Sequence, residues 1–328
     1  MKLVFFAHPD FLAHKSMPRF SRMLCKGMEN RGHKALLWSP KAFFFKLPAP
    51  TLLKKWLGYI DQFILFPLKV KIVLRQTEPT TLFVFTDHAL GPWLPMVIKR
   101  PHVVHCHDFL AQRSALGEFE ENPVGWSGKQ YQRIIQKGFN RGRHFISVSE
   151  KTQSDLHHLL KFSPGSSNVV YNGLHTGFSP IPDKTVGAIL EKDMGIPIKK
   201  GFILHIGGNQ WYKNRLGIID IYDAFRREFT STLPLLCVGE KPNQQLQKKY
   251  EKSSFKNDIY FLTGKSDLEV QNLYIMATVF LFPSLEEGFG WPIAEAMASG
   301  CPVVTTDCAP MTEVGGEAGF YIPRRPHE

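Results

Sequence analysis

Ser284-Leu285-Glu286-Glu287-Gly288-Phe289-Gly290-Trp291-Pro292-Ile293-Ala294-Glu295-Ala296-Met297-Ala298-Ser299-Gly300 lies between two short apolar runs, 278–282 and 302–306. Runs of this length and composition read as strands buried on both faces, so the stretch between them reads as the loop and helix of a parallel β-loop-α-β unit. Pro292 suits the first turn of that helix, where its missing N–H is no loss, and Gly300 suits the position just past its end. The helix is then about two turns long. Gly288 and Gly290 let the backbone come close to a ligand, and the N–H groups of a first helical turn favour negative charge. A diphosphate fits such a turn. Glu287 and Glu295, with seven residues between them, bracket it. Like charges repel, so both carboxylates are better aimed at neutral hydroxyls than at phosphate.

Working outward, the same alternation recurs on both sides. In the second half, apolar runs at 202–206, 234–238 and 258–262 read as strands, with helices expected after Asn214 and over 266–277. Lys213 stands at the start of the first of these helices, where an ammonium can meet a phosphate beside the helix N-terminus; a plain surface lysine is the alternative. In the first half, strands are expected at 2–7, 33–38, 81–86, 102–106, 144–148 and 168–171. Helices are expected over 18–30, in a basic stretch ending near Arg143, and from Ser149 onward. The fold class is therefore α/β, with two doubly wound, Rossmann-like domains. Pro180, Pro182 and Pro197 punctuate a polar segment between them, giving an N-terminal domain over 1–180, a linker over 181–200 and a C-terminal domain over 201–328. The loop 8–18 lacks a Gly-x-Gly-x-x-Gly fingerprint, so no nicotinamide cofactor is expected, which disfavours a sugar-phosphate epimerase.

A chain of 328 residues suits two domains, and 43% hydrophobic with 21% charged residues excludes wholesale disorder. The five cysteines are odd in number and unclustered, which points to a reducing, cytoplasmic setting. The N-terminus enters a strand directly, so no signal peptide is expected, and no apolar run is long enough to span a bilayer. The net charge of +11 is unevenly placed: residues 1–180 carry 24 Lys+Arg against 11 Asp+Glu, and the remainder is slightly acidic. This asymmetry reads either as a site for an anionic partner or as a solvated basic surface. Nucleic-acid binding would rest on that charge alone and is not expected. Residues 41–75 interleave Phe43, Phe44, Phe45, Trp56, Phe63 and Phe66 with Lys41, Lys46, Lys54, Lys55, Lys69 and Lys71. They read as a helix-rich insertion with ordinary packing, or as a segment in peripheral contact with an anionic membrane at its inner face. In His105-Cys106-His107-Asp108 the two histidines would share a strand face. No further ligand cluster accompanies them, so a substrate-contacting histidine at a strand end is a stronger reading than a metal site.

With these residues in view, the chain resembles the retaining, nucleotide-sugar-dependent glycosyltransferases of the GT-B fold, in glycosyltransferase family four. The most specific match is 283–303, which is similar to the family's signature with its two spaced glutamates. Arg31-Gly32-His33, His105 to Asp108, Ser147-Val148-Ser149, Asn172-Gly173, and Gly207 with Lys213-Asn214 give weaker support. The resemblance implies two domains facing across a cleft and transfer of a sugar from a UDP- or GDP-linked donor to a glycan or lipid-linked acceptor in polysaccharide or envelope biosynthesis. By analogy, Glu287 holds hydroxyls of the donor sugar, His107 lines the sugar site, and Glu295 accepts hydrogen bonds from the ribose. Lys213 with the amides of Gly288, Phe289 and Gly290 neutralises the departing diphosphate, and Gly207, Thr263 and Gly264 complete the donor site. No bound metal and no cofactor is implied. Two departures stand out: Gly208 occupies a place where the family commonly carries Arg, and the sequence ends at Glu328, where the family continues through further helices of its second domain. An inactive relative that binds nucleotide sugar or glycan is the alternative.

Overall fold

The computed structural model of the chain describes residues 1–12, 16–174, 178, 195–198 and 200–325. It divides into two units, Met1–Val170 and Tyr171–Glu328. Most of the linker expected over 181–200 lies outside the described residues.

The first unit holds β1 (Lys2–Phe6), β2 (Lys34–Trp38), β3 (Leu82–Phe85), β4 (His102–Cys106), β5 (His144–Ser147) and β6 (Ser166–Val169). All pair in parallel, in the order β2-β1-β3-β4-β5-β6. Side chains alternate across the sheet. Val4, Phe6, Phe83 and Phe85 join Trp93 and Phe139 in one core, while Leu3, Phe5 and Val84 pack with Ala35 on the opposite face. The Phe6 and Phe85 rings stack with centroids 4.5 Å apart. The winding changes direction between β1 and β3, which opens a crevice beyond their carboxyl ends.

The second unit holds β7 (Ile203–Gly207), β8 (Leu235–Gly239), β9 (Ile259–Leu262), β10 (Val279–Phe282), β11 (Val303–Thr306) and β12 (Phe320–Ile322). They too are parallel, in the order β12-β11-β10-β7-β8-β9, with the switch between β7 and β10. Each of β1 to β11 overlaps a run read above as a strand. β6 begins two residues earlier than expected. Among the described residues, besides short 3-10 turns, the pattern misses the helices Leu110–Leu116, Gln244–Lys252 and Met311–Gly315, and the 3-10 segment His88–Val97. The last contains Pro92 and Pro95, which read as loop. Gln244–Lys252 packs only Leu246 and the half-buried Tyr250 on the core, too few apolar positions to show a period, although Asn243 caps it by accepting from the Leu246 N–H.

The insertion at 41–75 is helical: a 3-10 turn Phe44–Lys46, then helix Thr51–Ile60, a π-turn Asp61–Leu65 and helix Phe66–Leu74. Pro67 explains the π-turn, because it cannot donate to the carbonyl four residues back and its ring crowds that carbonyl. The buried Asp61 carboxylate accepts from the backbone N–H groups of Phe43, Phe44 and Phe45 at 3.0, 3.0 and 2.9 Å, fixing the 3-10 turn against the helix. Gly58, Gln62, Phe66 and Val70, spaced by four, form its buried face. Trp93 donates to the Gln62 carbonyl at 3.1 Å across that contact.

Candidate functional site

In the second unit the switch point between β7 and β10 gathers the charged side chains. After β7 the chain forms a 3-10 turn, Trp211–Lys213, and Asn214 takes a left-handed conformation at φ 52° to cap the helix Arg215–Glu228. Asn214 also donates to the Pro283 carbonyl at 3.0 Å, and the Leu285 N–H donates to the Tyr212 carbonyl at 2.8 Å. These two bonds tie the loop after β7 to the loop after β10. The tie places Lys213 Nζ 2.6 Å from Glu287 Oε1, both side chains largely buried. The ammonium also lies over the Phe282 and Tyr212 rings, 5.0 and 5.4 Å from their centroids. Apolar walls of this kind strengthen any charge interaction made at Lys213.

Gly290 has φ 99° and ends this loop as the cap of helix Trp291–Ala298, a conformation that favours glycine. Glu295, on that helix, accepts from the Tyr274 hydroxyl at 3.2 Å. Burial, and then Glu295 itself, hold the Tyr274 hydroxyl well above its ordinary pKa, so it donates and steers the carboxylate. Gly207 and Gly239 face each other in register, and a Cβ on Gly239 would meet the Gly207 carbonyl oxygen at 2.1 Å. The strand ends approach this closely only because residue 239 is glycine, while a Cβ on Gly207 would meet the His205 ring. Thr263 and Gly264 are exposed just past the edge strand β9.

Three further residues escaped the sequence reading. Arg215 is buried and donates to Asn209 Oδ1 at 2.6 Å and to the Glu240 carbonyl at 2.9 Å, so it clamps the loops after β7 and β8. Its signal was its place two residues after Lys213. Glu286, beside Glu287, is buried and pairs with Arg324 at 3.1 Å, which nothing local in sequence announces. His205 is fully buried in β7, its Nδ1 3.0 Å from the Leu281 carbonyl. Burial pushes its pKa down to about 3, with smaller contributions from Arg215 and Lys213. The unfolded chain therefore takes up a proton near pH 6.5 that the folded one refuses, and stability falls as pH falls between 6.5 and about 3. The slope is about 1.4 kcal/mol per pH unit. In urea unfolding, His205→Phe is expected to lose about 2 kcal/mol less than the parent chain between about pH 7 and about pH 5; equal losses would remove His205 as the cause.

In the first unit the switch point carries histidines. His107, one residue past β4, is buried, and its Nε2 donates to the Thr86 carbonyl at 3.0 Å. Its ring meets Phe20 edge-on at 4.4 Å, and His105 lies against the same ring at 5.6 Å, so the two histidines share a face. Burial lowers the His107 pKa and brings that of His105 to about 4, which keeps both rings neutral near pH 7. Asp87 was missed, although it lies two residues past β3. Its carboxylate takes His8 Nε2 at 2.8 Å and His88 Nδ1 at 3.0 Å and caps the 3-10 segment through the Ala89 N–H. Burial opposes its ionisation, but the two histidines outweigh it and hold Asp87 well below the usual carboxylate range. Among the described residues no group of three or more His, Cys, Asp or Glu is placed to hold a metal ion.

Two family models match the chain: Glycosyltransferase Family 4 over residues 17–178, and Glycosyl transferases group 1 over 201–328. An MMP alpha-(1->4)-mannosyltransferase of Mycolicibacterium hassiacum is 37% identical over 299 residues, covering 84% of this chain and 68% of that one. The chain belongs to the family-four glycosyltransferases. An O-antigen chain mannosyltransferase B of Escherichia coli is 26% identical over 191 residues, 58% of this chain and 50% of its own length. The chain spans about half the length of the first curated relatives it matches. Among solved structures, that of Anabaena Alr3699/HepE in complex with UDP and glucose superposes with a TM-score of 0.72 at 18% identity, covering 98% of this family-four chain and 86% of that one. WaaG, a glycosyltransferase involved in lipopolysaccharide biosynthesis, superposes at 0.68 with 15% identity, covering 95% and 82%. Both parallel sheets are thus those of the GT-B fold.

Proposed function

We propose that the protein transfers a sugar, with retention at the anomeric carbon, from a UDP- or GDP-linked donor to a glycan or lipid-linked acceptor in polysaccharide or envelope biosynthesis. The observation that carries this reading is the Lys213–Glu287 pair, 2.6 Å apart at the switch point of the second sheet. The leaving group of such a reaction is a nucleoside diphosphate, and a fixed cation beside it stabilises the charge that develops as the bond breaks. Lys213 has three N–H donors and Glu287 occupies one, so the ammonium can serve a phosphate while remaining paired. Glu287, kept close to a cation, accepts from sugar hydroxyls. Glu295, steered by Tyr274, accepts from the ribose. His107 serves as a neutral hydrogen-bond partner for a sugar hydroxyl.

The rim of the second sheet from β10 to β9 crosses three strand spacings, about 15 Å. That span matches a donor laid out with its sugar by Glu287, its diphosphate by Lys213 and the amides of Gly288, Phe289 and Gly290, and its base by Thr263 and Gly264. Gly207 and Gly239 leave room for the diphosphate to pass. The UDP and glucose of the Anabaena structure and the mannosyltransferase relatives support a nucleotide-sugar donor and leave both bases in play. All five cysteines are free thiols, in keeping with work in a reducing cytoplasm. Among the described residues no helix is long and apolar enough to cross a membrane.

The test is a panel of UDP- and GDP-sugars followed for binding by calorimetry and for donor hydrolysis. One donor is expected to bind and turn over. Absence of binding by all of them would refute the donor reading, and binding without turnover would favour an inactive nucleotide-sugar binder.

A further inference from the structure

The helix at 51–74 has two apolar faces, and its core accounts for only one. Opposite Gly58, Gln62, Phe66 and Val70 runs a second row at the same spacing: Trp56, Ile60, Ile64, Leu68 and Ile72. Ile60 is half-buried, but Trp56, Ile64, Leu68 and Ile72 are 64%, 53%, 56% and 64% exposed. From Trp56 to Ile72 the row is about 24 Å long. Lys55, Lys69 and Lys71 are exposed beside it. Residues 41–75 carry six Lys and one Arg, and their one acid is Asp61. Asp61 is buried, with its oxygens taken by three backbone N–H groups, so the segment offers no carboxylate outward. Between the 3-10 turn and the helix lies a cleft of about 170 Å³, lined by Lys41 and Lys69 and, at its buried side, by Asp61.

We propose that this face docks the protein on an anionic bilayer, with the apolar row in the acyl boundary and the lysines on headgroup phosphates. Trp56 suits the boundary itself, and the exposed Lys55, Lys69 and Lys71 suit headgroup phosphates beside the row. The charge pattern selects this occupant. A second copy seated here about a two-fold axis would set the same cations against each other. A bilayer of anionic lipid satisfies both the row and its flanks. The surface lies outside the candidate donor site, and the proposal stands independently of the donor.

Sedimentation of the full chain with vesicles tests it. The protein is expected to pellet with vesicles of mixed phosphatidylcholine and phosphatidylglycerol, to stay in solution with phosphatidylcholine alone, and to be released by salt. Lys69→Glu with Lys71→Glu, and separately Ile64→Ser with Leu68→Ser, are each expected to weaken binding roughly tenfold or more, since each removes one of two cooperating signals. Both pairs lie off the buried face, so thermal unfolding should match the parent chain. Equal partition onto both vesicle types, or variants that bind as well as the parent, would overturn the proposal. So would a concentration-dependent dimer in light scattering that the Ile64/Leu68 variant abolishes while the parent ignores vesicles.

Discussion

Replacing Lys213 with alanine is expected to lower kcat/KM for the donor about a hundredfold or more, the usual effect of removing one preorganised group from a developing anion. The environment enlarges the effect. The ammonium lies over two aromatic rings and against Glu287, so no water-filled surface stands ready to replace it. The substitution also leaves Glu287 without its cation in a largely buried place, where a carboxylate would repel the incoming diphosphate. Glu287→Ala is expected to lower turnover more than nucleotide affinity, because its partners are hydroxyls of the transferred sugar and not the nucleotide. With the two groups 2.6 Å apart, the double variant should lose less than the two single losses combined. Steady-state kinetics with the donor identified in the panel would decide this. A Lys213→Ala enzyme within about threefold of the parent would remove the residue from the site.

The second large effect concerns stability. Asp61→Ala is expected to cost about 3 kcal/mol, because a charged acceptor serving three N–H groups at 2.9 to 3.0 Å is removed and the 3-10 turn loses what holds it. Asp61→Asn keeps one acceptor oxygen and should fall between. Denaturant unfolding followed through the first unit would show it. A loss below about 0.5 kcal/mol for the alanine variant would mean that water satisfies those N–H groups as well as the carboxylate does.

Much of the fold was legible because parallel strands must be apolar on both faces and must end in loops. Runs such as Leu3 to Phe6 and Phe280 to Phe282 carry that signal within a few residues. The helix Trp291–Ala298 was legible from Pro292 and Gly300, which mark its start and stop by conformation alone. Gln244–Lys252 was not, because a helix on the surface of a sheet can fold with one buried leucine and one half-buried tyrosine among otherwise polar residues. The candidate site divides in the same way. Lys213, Glu287 and Glu295 could be singled out one by one from their places beside turns. That Lys213 and Glu287 touch depends on the Asn214 and Leu285 bonds across 69 and 73 positions, a contact no local pattern encodes. Asp87 was missed for a related reason: His88 is its chain neighbour, but its second partner, His8, comes near only when β1 and β3 become neighbours.

The wide turn at Asp61–Leu65 sets the phase of the helix that contains it. Every residue of an α-helix advances the chain by about 100°, so a row spaced by four drifts about 40° at each step. The π-turn holds one residue more than an α-helical turn and absorbs most of that drift, which keeps Gly58 and Gln62 in line with Phe66 and Val70. Loss of one residue there would restore a regular helix and rotate everything beyond it by about a quarter turn. Phe66 and Val70 would swing from the core toward solvent. Pro67, a helix breaker by its own chemistry, is thus what lets the two halves keep one inner and one outer side.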